Sequence, residues 1–161
     1  MAGSTAKAAG LHLTGERTVP GVAEENYWFA RHEAAYEYLL PRCVGAAVLE
    51  AGCGEGYGAA RIAAHAQRVI ALDYDEPATT HLASRYRTVD AVRANLAALP
   101  IRASSMDLVV NLQVIEHLWD QGQFLGECAR VLRPGSTLIL STPNRLTFSP
   151  GRDTPLNPYH T

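Results

Sequence analysis

The stretch VLEAGCGEGYG, residues 48 to 58, sets an apolar run against a loop carrying Gly52, Gly54, Gly56 and Gly58. Bare amides on such a loop, opening onto a helix, commonly cradle a phosphate. As a dinucleotide fingerprint the spacing is ambiguous. Counted from Gly52, the third glycine place holds Tyr57; counted from Gly54, the pattern is G-x-G-x-x-A ending at Ala59. Charge separates the alternatives, because carboxylates at Glu50 and Glu55 would repel a diphosphate and suit a ligand that carries positive charge. A further carboxylate, Asp73 in VIALDYD, stands 21 residues beyond Gly52. That is where a strand-loop-helix-strand unit offers an acid to both hydroxyls of a ribose. These residues describe a ligand that joins a nucleoside to a cation and lacks a diphosphate, which S-adenosylmethionine satisfies. The alternative, in which the glycines only make a tight turn, is disfavoured by the strand before them and the helix after.

The elements that must position these residues alternate. EENYWFARHEAAYEYLL reads as an amphipathic helix closed by Pro41. Apolar runs follow at 46 to 51, 69 to 73, 89 to 93, 107 to 112 and 137 to 141, separated by the helix-like stretches GAARIAAHA, PATTHLASRY and 118 to 132. In the last of these, Leu118, Leu125, Cys128 and Leu132 share a face, and RPGS ends the helix. Such alternation predicts an α/β fold, a Rossmann-like doubly wound parallel sheet with helices on both faces. The 161 residues suit one domain, 23 to 161, behind a flexible segment over 1 to 22. A net charge of -2 argues against a nucleic-acid partner. No stretch approaches the ~20 apolar residues of a membrane span. Cys43, Cys53 and Cys128, odd in number and without metal-ligand spacing, read as free thiols in a reducing, cytoplasmic setting.

The ordered motifs resemble those of the class I S-adenosylmethionine-dependent methyltransferases. VLEAGCGEGYG is similar to the family's first motif, VIALDYDE to the second, ANLAALPI to the segment after the third strand, DLVVNLQVIEHL to the fourth, and ECARVLRPGSTLILSTPN to the helix, turn and fifth strand. The resemblance covers roughly 43 to 144 and implies S-adenosyl-L-methionine as cofactor. It implies that Glu50 and the backbone of Gly52, Cys53, Gly54 and Gly56 hold the methionine part and that Asp73 takes the ribose. Tyr74, Asn95 and Leu96 would flank the adenine, with Asn95 departing from the commoner Asp, and Gln113 would face the sulfonium. TGERTVPG followed by ENYWFARHEAAY resembles the opening of sugar and polysaccharide O-methyltransferases, which implies Arg31 as a ligand of the methionine carboxylate and Trp28 and Phe29 as a lid.

Methyl transfer from a sulfonium chiefly needs alignment. A hydroxyl acceptor also needs a base or a metal, because its protonated oxygen is a poor nucleophile. QVIEHL supplies Glu116 and His117 beyond the fourth strand. Quinone O-methyltransferases carry a similar acidic-x-x-Glu-His run that binds a divalent metal, so Glu116 and His117 are candidate ligands of Mg2+; Gln113, in the first place, is a weaker hard-cation ligand. The alternative is that Glu116 and His117 pack the following helix. His160 in NPYH is a further candidate, since relatives carry a similar His on a loop reaching the acceptor pocket. The expected partner is a small-molecule or glycan acceptor. The family fold has seven strands, and the last two have no counterpart in this sequence, so a missing C-terminal part or a homodimer partner is expected to cover the fifth strand. An NAD-dependent oxidoreductase or epimerase on the same sheet, and a non-catalytic cofactor-binding module, are the competing functions.

Overall fold

A computed structural model describes residues 26 to 144. Helix α1 (Asn26–Cys43) leads into β1 (Ala47–Ala51), α2 (Tyr57–Ala63), β2 (Arg68–Asp73), α3 (Glu76–Arg85) and β3 (Asp90–Arg93). Then come β4 (Met106–Leu112), a 3₁₀ turn (Ile115–His117), α4 (Gln121–Val131) and β5 (Leu132–Ser141). The strands form one parallel sheet in the order β3-β2-β1-β4-β5. Strand order reverses between β1 and β4, and in open sheets of this kind the crevice beyond the carboxyl ends of those strands receives the ligand.

Strand side chains alternate between two cores. Val48, Val69, Ala71, Leu108 and Val110 meet Leu39 and Cys43 of α1, Ala59 and Ile62 of α2, and Leu82 of α3. On the other face Leu49, Ala51, Ile70, Leu72 and Val109 meet Phe124, Cys128 and Val131 of α4. Being covered on both faces, β1, β2 and β4 need near-continuous apolar runs, and this is what their sequences carry. Each fully buried Val, Leu or Ile contributes about 1.5–3 kcal/mol relative to exposure. Asp75 caps α3 by accepting from Ala78 N at 3.3 Å, and Asp120 caps α4 through Gln123 N at 2.8 Å.

Three expectations need correction. Helix α1 runs on through Pro41 to Cys43; the proline forgoes one N–H bond in the last turn, while buried Leu39 and Cys43 hold that turn on the sheet. The RPGS segment lies inside β5 instead of ending a helix. Met106 pairs with Leu132 and Leu108 with Thr137, so the extra residues bulge out around Gly135, whose φ is 81°. In α4 the buried stripe is Phe124, Cys128 and Val131, while Leu125 is 42% exposed.

Candidate functional site

The turn from β1 to α2 is built around glycine. Gly52 and Gly56 have φ of 85° and 92°, where a side chain is strained, and a Cβ at Gly52 would come within 2.6 Å of Val114 Cγ2. Gly52 N and Cys53 N donate to Leu72 O at 2.7 and 3.0 Å, folding the loop across the end of β2. Gly54 N then donates to Asp73 Oδ2 at 2.8 Å, and Asp75 N donates to Asp73 Oδ1 at 2.9 Å. Asp73 is thereby locked in one orientation. An ionised carboxylate offers about four lone-pair sites, so capacity for ribose hydroxyls remains.

Glu50 stands near the end of β1, just before the loop, and is 2% exposed. Tyr36 of α1 donates to its Oε1 at 2.5 Å, and Oε2 has no partner among the described residues. Burial pushes the Glu50 carboxyl up to about 7, with the Tyr36 hydrogen bond opposing the rise, the charge of Asp73 adding to it and the Ala59 backbone opposing it further. A buried carboxylate oxygen left open is costly unless a cation or donor completes it. The ammonium of an amino-acid tail is such a group, and the residues present therefore fit S-adenosylmethionine.

Glu55 does something else. Its Oε1 lies 2.9 Å from His81 Nε2 and 3.1 Å from Tyr86 OH, and its Oε2 accepts from Tyr57 N at 3.1 Å. It ties the glycine loop to α3. The expectation that Glu55 joins Glu50 in holding a cation is corrected: its oxygens are taken up by groups of the protein, and it is 3% exposed. His81 is one of those partners.

The remaining predicted residues fall in several places. Tyr74 is 71% exposed at the end of β2. Asn95 Oδ1 accepts from Ala97 N at 2.9 Å, a local turn, while Leu96 is buried in the core beside α4. Gln113 has φ 57°, and its Nε2 donates to Ser141 Oγ at 3.0 Å, joining the ends of β4 and β5. Cys53 is buried in the loop, Cys43 and Cys128 are buried in α1 and α4, and no disulfide joins them. Arg31 lies exposed on α1. The side chain of Trp28 and all of His160 lie outside the described residues. In the 3₁₀ turn Glu116 is 2% exposed with Oε2 unpartnered, and His117 is half-buried. Among the described residues no three His, Cys, Asp or Glu side chains gather as a metal needs, so the Mg2+ reading of Glu116 and His117 finds no support. Sequence reasoning missed Tyr36 and Asn111. Asn111 is fully buried and donates from Nδ2 to Ala51 O at 2.7 Å, fixing the start of the loop; a lone amide inside a buried apolar strand was its signal. A cavity of about 650 Å³ lies at the opposite ends of the strands, among Arg68, Ile70, Ile101, Met106 and Arg133, away from all of these groups.

The family model described as "Methyltransferase domain" matches residues 49 to 140. A "Probable S-adenosylmethionine-dependent methyltransferase" of Mycolicibacterium smegmatis is 66% identical over 151 residues, 94% of this chain and 59% of that protein. A "Ubiquinone biosynthesis O-methyltransferase" of Sinorhizobium fredii is 33% identical over 105 residues, covering 63% of this chain and 42% of the relative. The crystal structure of a SAM-dependent methyltransferase from Aquifex aeolicus superposes with a TM-score of 0.68 over 87% of this chain and 76% of its own, at 18% identity, a likeness of fold alone. The chain belongs to the class I S-adenosylmethionine-dependent methyltransferase family. It spans about three fifths of the length of the mycobacterial relative.

Proposed function

We propose that the protein transfers the methyl group of S-adenosylmethionine to a hydroxyl of a small molecule, on a sugar or polysaccharide precursor. The observation that carries the cofactor half is Glu50, a buried carboxylate with one oxygen held by Tyr36 and the other open. The acceptor half is supported by TGERTVPG and ENYWFARHEAAY, which resemble the opening of sugar O-methyltransferases, among them the 1-O-methyltransferase of methylmannose polysaccharide synthesis. When bound, S-adenosylmethionine supplies an activated methyl carbon on a sulfonium. Glu50 would hold the ammonium, Asp73 the ribose, and the glycine loop would lie close against the amino-acid tail. An imidazole nitrogen of His117, just past β4, would take the hydroxyl proton as the acceptor oxygen bonds to the methyl carbon and the C–S electron pair returns to sulfur. Glu116 is too enclosed for that role. A quinone or phenol acceptor is the second reading, favoured by the ubiquinone-pathway relative and by the Gln113–Glu116–His117 run.

Incubation of the full-length protein with methyl-labelled S-adenosylmethionine and a panel of mannosides, other glycans, quinones and phenols, read by product mass spectrometry, tests the proposal. A labelled glycoside is the expected product. Label on a quinone alone transfers the case to the second reading, and label on none of them contradicts the hydroxyl acceptor. His117→Ala should lower turnover about 10²-fold or more, the usual size of a general-base contribution, with cofactor affinity little changed. Equal losses in both would make His117 structural.

A further inference from the structure

The first helix packs on the sheet, and one of its residues reaches the binding crevice. We infer that Tyr36 is a positioning residue for the cofactor's amino-acid tail: its hydroxyl fixes Glu50 Oε1, so that Oε2 is presented to the cation. The inference rests on the proposed cofactor site.

Two independent features of the fold make the contact possible. Tyr36 is 6% exposed and passes directly over Gly58, where a Cβ would overlap the Tyr36 Cζ and hydroxyl. Gly58 is therefore the notch through which a side chain on α1 reaches β1; its use is close approach by a tyrosine, and it carries no left-handed backbone. The second feature is how firmly α1 is placed. Arg61 of α2 pairs with both Glu33 and Glu37 of α1. The Tyr36 ring meets Tyr57 edge-on at 5.7 Å between centroids, Phe29 meets Tyr57 at 5.1 Å, and His32 Nδ1 lies 3.1 Å from the Tyr57 hydroxyl. Position 36 cannot drift without disturbing this set.

The partner of the hydroxyl argues for more than packing. A tyrosine buried only for packing could be satisfied by a backbone carbonyl, and Glu50 could be an apolar residue like its neighbours Leu49 and Ala51. Here the hydroxyl meets a carboxylate that has no cationic partner among the described residues, and it leaves that carboxylate with one free oxygen. A donor on Oε1 stabilises the ionised form and fixes the plane of the group. Both effects favour a cation at Oε2 and do nothing for an uncharged nucleoside.

The test compares two ligands by calorimetry: S-adenosylhomocysteine, which carries the ammonium, and 5′-methylthioadenosine, which lacks the amino-acid tail. In Tyr36→Phe the affinity for S-adenosylhomocysteine should fall about tenfold, the worth of one hydrogen bond to a charged group, while 5′-methylthioadenosine binds within about twofold of wild type. Should that variant not fold, Glu50→Gln, which keeps an acceptor for Tyr36 and removes the charge, should show the same selectivity. Equal weakening of both ligands, or of neither, in Tyr36→Phe overturns the positioning role while leaving the cofactor site standing; in Glu50→Gln it overturns the hold of Glu50 on the ammonium, and the positioning role with it. Failure of the wild type to bind S-adenosylhomocysteine overturns the cofactor site itself, and the positioning role with it.

Discussion

At residue 50 the chain places an acid where its neighbours are apolar, and the environment of that acid has a consequence for stability. The titratable groups coupled to Glu50 are Tyr36 and Cys43 from α1 and Asp73 from β2; none brings positive charge. Burial raises the carboxyl from 4.5 to about 7. For a carboxyl whose folded value is raised, the favourable contribution is complete below the unfolded value and is lost as the pH rises to the folded one. Without ligand, the protein should therefore lose stability between about pH 4.5 and pH 7, by roughly 3 kcal/mol at most. Denaturant titrations of Glu50→Gln should show that slope removed, and an unchanged slope would mean that Glu50 is ionised throughout. The placing of Glu50 and Asp73 beside the glycine loop was legible from residue type and spacing. The role of Glu55 was not, because its partners His81 and Tyr86 come from α3 and its C-cap, 26 and 31 residues away, and one sequence does not show which loop acids face inward.

At the scale of elements, the strands were legible because those buried on both faces are continuous apolar runs, and β1, β2 and β4 came within a residue or two of their observed bounds. The ends of α1 and α4 were misread where tertiary packing overrides a local signal: Pro41 is carried within a helix that Leu39 and Cys43 anchor, and RPGS is absorbed as a bulge because β4 offers pairing on both sides of it. The α1–α2 contact gives a sharp contrast between two glycines. Gly58→Ala gains helix propensity but drives a methyl into Tyr36, so it should lose about 1–3 kcal/mol. Gly126 in α4 is exposed, and a methyl there would meet nothing within 4 Å, so Gly126→Ala should gain up to about 1 kcal/mol. Thermal melts of the two variants should move in opposite directions; a stabilised Gly58→Ala would mean that Tyr36 does not occupy the notch.

For the molecule as a whole, the sheet order brings the glycine loop, Asp73 and the ends of β4 and β5 together at the carboxyl ends of the strands, and Tyr36 of α1 reaches Glu50 there. No residue of β5 is buried, whereas six of the seven in β4 are, as suits an edge strand among the described residues. Among the described residues no helix is long and apolar enough to cross a membrane. Charge separates the ligands at this scale: Glu50 before the glycine loop would suit a cationic amino-acid tail and oppose a diphosphate, whereas Asp73 suits a ribose in either ligand. Calorimetry with S-adenosylhomocysteine and with NAD tests this most directly. Binding of S-adenosylhomocysteine, weakened about 30-fold or more by Asp73→Ala through the loss of two hydrogen bonds, and no comparable binding of NAD, is the predicted result; preference for NAD, or no binding of S-adenosylhomocysteine, would contradict it.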